Sequence, residues 1–393
     1  MGPMRWGGWR LVSSARSGGA SLAITDPFAL IDGRANAPAG TPQYPNLLNL
    51  SSATNGLGRN LAVRPPWKAA GVDYHVGIDR NLYPTNANLK DPTAGGLPAG
   101  VSFAGTTVTV TSTSAVTLDG WDFSVGNGLQ VFIKGVINGG GGPLTISNCN
   151  FKIGTNNNIC INSDRDAGAL TLVNVEMDGN GAFLEATFGA SGQGTLISVD
   201  CTSITVLYNW WHDAWEDGYD PVCDSQQHQT MTFKYNLFDT CSYDATAHSD
   251  WVQINNFNDG VSGNLGHTDN FVALFNVNYQ RDGTGHNQQS MFRLNTQVDN
   301  SEIGWNTAVT GGSTAQSNTF FDIVEASGVP PSGDDPSTIA NSNVHDNYCL
   351  VDTFGHVWFN GFYTTFPTLA HGIVNPTETG NIDMSTGSQF PVI

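Results

Sequence analysis

Basic residues are scarce in this chain and then absent. Its 393 residues include 15 Lys and Arg against 34 Asp and Glu, and no basic residue follows Arg293. With a net charge of −19, it lacks the cationic surface that neutralises phosphates, which argues against nucleic acid and anionic membranes as partners. Charged residues of either sign are only 12%, too few to clothe the outer faces of many helices. No run approaches the ~18 apolar residues of a membrane span. The Leu11-Val-Ser-Ser-Ala15 stretch after Arg5 and Arg10 is too short and polar for the core of a Sec signal peptide. The expectation is a protein that is not Sec-exported or that leaves the cell by another route such as lysis. The six cysteines (Cys149, Cys160, Cys201, Cys223, Cys241 and Cys349) show no CxxC or zinc-ligand spacing. Buried free thiols are expected, with Cys223–Cys241 the one pair to test as a disulfide.

What the chain has instead is glycine (46 residues) with abundant Asn, Thr and Ser. That mixture suits many short strands joined by tight turns, so the expected class is all-β. Charge is also uneven. Residues 1–100 carry nine basic against five acidic side chains, a balance of +4, and the remainder carries six against 29, a balance of −23. Residues 1–95 show no sustained period and are rich in Gly, Pro and Ala, as in Arg34-Ala-Asn-Ala-Pro-Ala-Gly-Thr-Pro42. They read as an irregular, extended N-terminal arm that docks on a partner.

From Val101 the pattern becomes alternating, and a hexamer with apolar ends recurs. It reads LDGWDF from Leu118, ISNCNF from Ile146, LVNVEM from Leu172, VLYNWW from Val206, FKYNLF from Phe233, ALFNVN from Ala273, IGWNTA from Ile303 and VHDNYC from Val344. The fourth position is Asn in the last five copies (Asn209, Asn236, Asn276, Asn306, Asn347), and Trp121, Cys149 and Val175 stand there in the first three. Asn278 breaks the apolar sixth position of the sixth copy. Coils that repeat an apolar stripe stack into a continuous core, each pairing with the next about 4.8 Å away. An Asn at a fixed turn is expected in the left-handed region, hydrogen-bonding the amide of the neighbouring coil.

The hexamer series with its Asn ladder resembles the right-handed parallel β-helix, pectate-lyase-like superfamily. The resemblance implies a solenoid over residues 96–360 and a C-terminal cap over 361–393. That superfamily includes polysaccharide lyases, glycoside hydrolases, epimerases and phage tailspikes, so it implies carbohydrate chemistry only as a class.

Aligning a second strand of each coil gives an outward column of Glu185, Asp220, Gln253, Arg293 and Asp322, with Asp217 and Asp250 three residues before two of its members. Asp217, Asp220 and Asp250 are the candidate catalytic residues. Carboxyls on adjacent or alternate coils reach the ~5–9.5 Å separations that glycosidases use, and crowding pushes their pKa values apart. Their arrangement also resembles that of some endorhamnosidase tailspikes. Glu185, Trp215, Tyr219, His248, Trp251, Gln253, Arg293 and Asp322 are the candidate substrate-binding residues, the aromatics as platforms for sugar rings.

No cofactor is expected. Calcium on Asp217, Asp220 and Asp224 is the one metal option, since hard oxygen donors lie close in sequence there. The leading expectation is a tailspike-like virion protein that binds, and as a glycoside hydrolase would cleave, a host surface polysaccharide. Its partners would be that polysaccharide and other virion proteins through the arm, with a homotrimer open, and its location the virion or the extracellular space. The alternatives are a free bacterial polysaccharide lyase or hydrolase and a non-catalytic structural β-helix (virion decoration or adhesin).

Overall fold

The computed structural model describes residues 77–78, 89–155, 157–181, 184, 194–220, 228–241, 249–255, 267–280, 287–295, 297–310, 316–317, 321–323, 341–349 and 377–383. These residues build a parallel β-helix, an all-β solenoid of short strands stacked coil on coil. Three faces run along it. The first sheet takes the strand before each hexamer turn, from Val116–Asp119 through Ser203–Leu207 and His228–Lys234 to Thr377–Thr379. The second takes the strand after it, from Asp122–Phe123 through Trp210–His212 to Ile382–Asp383. The third holds Thr107–Val110, Gln130–Ile133, Ile161–Ser163 and Ile197–Ser198, and resumes with Ser249–Asn255, Asn287–Asn295 and Phe321–Ile323. Tyr219 joins its two parts by bridging to both Ile197 and Val252. Val101–Ala104 folds back antiparallel on Thr107–Val110 over Gly105 at φ 62°. That hairpin shields the edge at which parallel stacking begins.

The hexamer register is as the sequence predicts. Leu118, Ile146, Leu172, Val206, Phe233, Ala273, Ile303 and Val344 pair successively and form one fully buried column. Asn278 keeps the same inward place and is also enclosed. The turn differs from expectation in one respect. The left-handed residue is the third of each hexamer, not the Asn at the fourth. Asn148, Asn174, Tyr208, Tyr235, Phe275, Trp305 and Asp346 all have φ between 51° and 61°. This kink turns the chain from the first sheet into the second and aims the fourth side chain into the core.

There the Asn side chains form a continuous ladder. Asn209 Oδ1 accepts from the amide of Val175, and Asn236, Asn276, Asn306, Asn347 and Asn381 each accept from the ladder residue one coil before, at 2.9–3.0 Å. Each Nδ2 donates to a first-sheet carbonyl, as Asn236 does to Val206 at 3.0 Å. The amide supplies both a donor and an acceptor, on separate atoms, to the turn, where sheet pairing lapses. In the third position, outside the ladder, Tyr208, Tyr235, Phe275 and Trp305 stack with centroids 4.9–5.1 Å apart and planes within 8°. Those contacts offset the cost of holding bulky residues at positive φ.

Lys90 bridges to Trp121, and the amide of Gly77 donates to Tyr235 O at 2.8 Å, so parts of the segment assigned to the arm lie against the solenoid. At the other end, Thr377–Thr379 and Ile382–Asp383 add a further coil beyond residue 360, with Asn381 continuing the ladder. Cys149, Cys160, Cys201 and Cys241 are buried thiols, and Cys223, the expected partner of Cys241, lies outside the described residues. Burial pushes Cys149 and Cys201 up to about 12, which leaves them inert as thiols. Among the described residues, no helix is long and apolar enough to cross a membrane.

Candidate functional site

The third sheet brings most of the expected outward column together. Tyr219 aligns with Val252, which pairs with Phe292 and then Phe321. The residues one step on therefore stand in line over four coils: Asp220, Gln253, Arg293 and Asp322. Their spacing is set by backbone pairing, as when the Gln253 amide donates to Tyr219 O at 2.9 Å. Asp220 is half-buried, and the Arg293 side chain is 18% exposed. The place assigned to Glu185 belongs to Ser198, the residue after Ile197 in this register. Glu185 and His248 lie outside the described residues, as does the side chain of Asp322.

Asp217 and Asp250 do not share that outer face. Both are buried, Asp250 completely. Asp217 Oδ1 accepts the Asp250 amide at 2.6 Å, so one carboxyl caps the backbone of the next coil. Asp250 accepts the Ser290 hydroxyl through Oδ1, and Oδ2 lies 3.7 Å from Arg293 Nη1. Burial holds the Asp217 carboxyl well above the usual carboxylate range, and the nearby charges of Asp250, Asp220 and Glu216 raise it further. The Cys241 thiol is pushed up by burial and by the same two aspartates, which places it beside them in the interior. The unit is a carboxyl with a raised pKa next to an arginine-paired carboxylate, enclosed by the coils it joins.

The aromatic platform is a second correction. Trp215, Tyr219 and Trp251 are core side chains, at most 2% exposed. Tyr219 packs edge-on to Phe233 at 5.6 Å, and Trp251 stacks on Phe238 at 5.4 Å. Rings so placed have no face left for a sugar. Their large apolar area decided the matter, because a coil interior removes far more of it from water than a groove does.

The second sheet carries a cluster that the sequence reading missed. Glu176 and Asp178 flank His212 on the adjacent coil, since Glu176 pairs with Trp210 and Asp178 with His212. His212 Nδ1 lies 2.8 Å from Asp213 Oδ2 and 4.0 Å from Asp178 Oδ1, and Nε2 lies 3.6 Å from Glu176 Oε1. The imidazole stacks on Trp210 at 3.9 Å. Lys152, one coil below, pairs with Asp178 Oδ2 at 3.1 Å. Burial alone would lower the His212 pKa, yet Asp213, Glu176 and Asp178 outweigh it and raise it to about 9. The signal was present in the text of the repeat. Around inward Met177 and Trp211, the outward positions read Glu176, Asp178 and Trp210, His212.

Among the described residues, Asp178, His212 and Asp213 form the one group whose donor atoms all approach within 4.8 Å. Of the calcium set expected on Asp217, Asp220 and Asp224, Asp217 is buried, Asp220 is half-buried and Asp224 lies outside the described residues. No protein-family model, curated protein or solved structure matches the chain.

Proposed function

We propose that this chain is a glycan-binding β-helix of the pectate-lyase-like, tailspike type, which recognises an extended host surface polysaccharide on the outer face of its third sheet. The register run Asp220–Gln253–Arg293–Asp322 carries the reading. A ladder of hydrogen-bonding groups repeating every ~4.8 Å suits a ligand that itself repeats. The acidic body favours a neutral sugar chain over a polyanion. Arg293 is braced from behind by Asp250 and is thereby preorganised.

Cleavage would fall to Asp220, the half-buried member of the three candidate acids, with the Asp217 carboxyl, its pKa raised by burial, nearby. The enclosure of Asp217 and Asp250 favours recognition over hydrolysis. The basic N-terminal segment supports attachment to a larger particle, as in a virion. Screening the full chain against bacterial surface polysaccharides tests this. Asp220→Asn should weaken binding about tenfold while leaving the melting temperature unchanged. Shortening of the bound polysaccharide by the parent and not by Asp220→Asn would add hydrolysis. Absence of binding across neutral and acidic polysaccharides would leave a purely structural solenoid.

A further inference from the structure

The histidine–carboxylate cluster on the second sheet is separate from the glycan face and has its own chemistry. We propose that Asp178, His212 and Asp213 form a site for one divalent transition-metal ion, with Glu176 orienting the imidazole from its far side.

Four observations converge on that assignment. Ligands bound about 2.1 Å from a common ion lie at most about 4.2 Å apart. His212 Nδ1 meets that limit with Asp213 at 2.8 Å and with Asp178 at 4.0 Å. The Lys152 ammonium occupies Asp178 Oδ2, while Oδ1 faces the imidazole. His212 is only 7% exposed, so its ring is held within the wall of the solenoid. With the ion on Nδ1, the proton is fixed on Nε2 and directed at Glu176 Oε1, 3.6 Å away. Metal-binding histidines are commonly oriented by such a carboxylate on the second nitrogen.

The donor set selects the ion. One imidazole with two carboxylates suits Zn²⁺ or Mn²⁺. Calcium takes oxygen donors alone and in larger number. Trp210, stacked on the ring at 3.9 Å, and the enclosed strand hold His212 in place, so the site is built on rigid elements. An ion here would tie together two coils, those of Glu176–Asp178 and Trp210–His212.

Calorimetric titration of the full chain with Zn²⁺, and loss of the free Mn²⁺ paramagnetic resonance signal, read the site directly. One ion per chain is expected. Asp178→Asn and Asp213→Asn, both at half-buried positions, should each weaken it at least tenfold, and Glu176→Gln should weaken it about 10–100-fold through the imidazole. Circular dichroism of each variant checks that the solenoid is intact, and two independent ligand variants guard against one that fails to fold. Absence of Zn²⁺ and Mn²⁺ binding at millimolar concentration overturns the proposal, as does binding that both ligand variants leave unchanged. The cluster is then a charged histidine held among carboxylates.

Discussion

The backbone amide of Asp250 donates to Asp217 Oδ1 at 2.6 Å, which puts two carboxyl groups from adjacent coils inside the solenoid wall. This one bond explains why residues that look like an exposed acid pair are enclosed. The first carboxyl is consumed in capping the second residue's backbone.

Its consequence is a pH dependence. Asp217 has a folded-state pKa above that of the unfolded chain, chiefly through burial. Its contribution to stability is therefore complete below about pH 4, the unfolded value, and declines as pH rises toward the folded one. Asp217→Asn keeps the acceptor oxygen and has no proton to lose. The melting temperatures of parent and variant should coincide near pH 4 and separate in favour of the variant as pH increases. A gap that stays constant with pH would show that the carboxyl is not desolvated.

Arg293 should act as a structural cation as well as a binding group. Asp250 is fully enclosed, and Arg293 Nη1 lies 3.7 Å from it. Arg293→Met should cost about 3 kcal/mol or more in urea unfolding, since an unpaired charge is left inside. Adding Asp250→Asn should restore much of that loss. If the double variant is no better than the single one, the two residues are not coupled.

The ladder should be sensitive in its middle. Asn236→Ala removes the acceptor for the Asn209 amide and the donor to Val206 O. Two buried backbone groups then lack partners, at roughly 1–3 kcal/mol each. A loss of about 2–4 kcal/mol is expected by equilibrium denaturation, with the glycan face unaffected. A change below about 1 kcal/mol would mean that water enters the turn and replaces the side chain.

The eight hexamers and the third-sheet register were legible because both are local patterns. Side chains alternate along a strand, so Leu118, Ile146 and Val206 announce an inward column, and Tyr219, Val252 and Phe292 announce the next. The His212 cluster was equally legible, because the outward positions of the same strands carry it. It was missed because the repeat was read for its core alone.

What the sequence determined by itself was therefore the solenoid: the period, the Asn ladder and the alignment of Asp220, Gln253 and Arg293. Only the tertiary structure decided which polar and aromatic residues meet solvent. Trp215 and Asp217 lie outside the named strands, and Asp250 and Trp251 follow the register shift after Ser249, so strict alternation does not dictate their direction. There, orientation follows from what the fold offers: an amide and an arginine on neighbouring coils for the carboxyls, Phe238 of the same coil for the ring of Trp251. The partners of the carboxyls lie tens of residues away in the chain, and no local pattern encodes them.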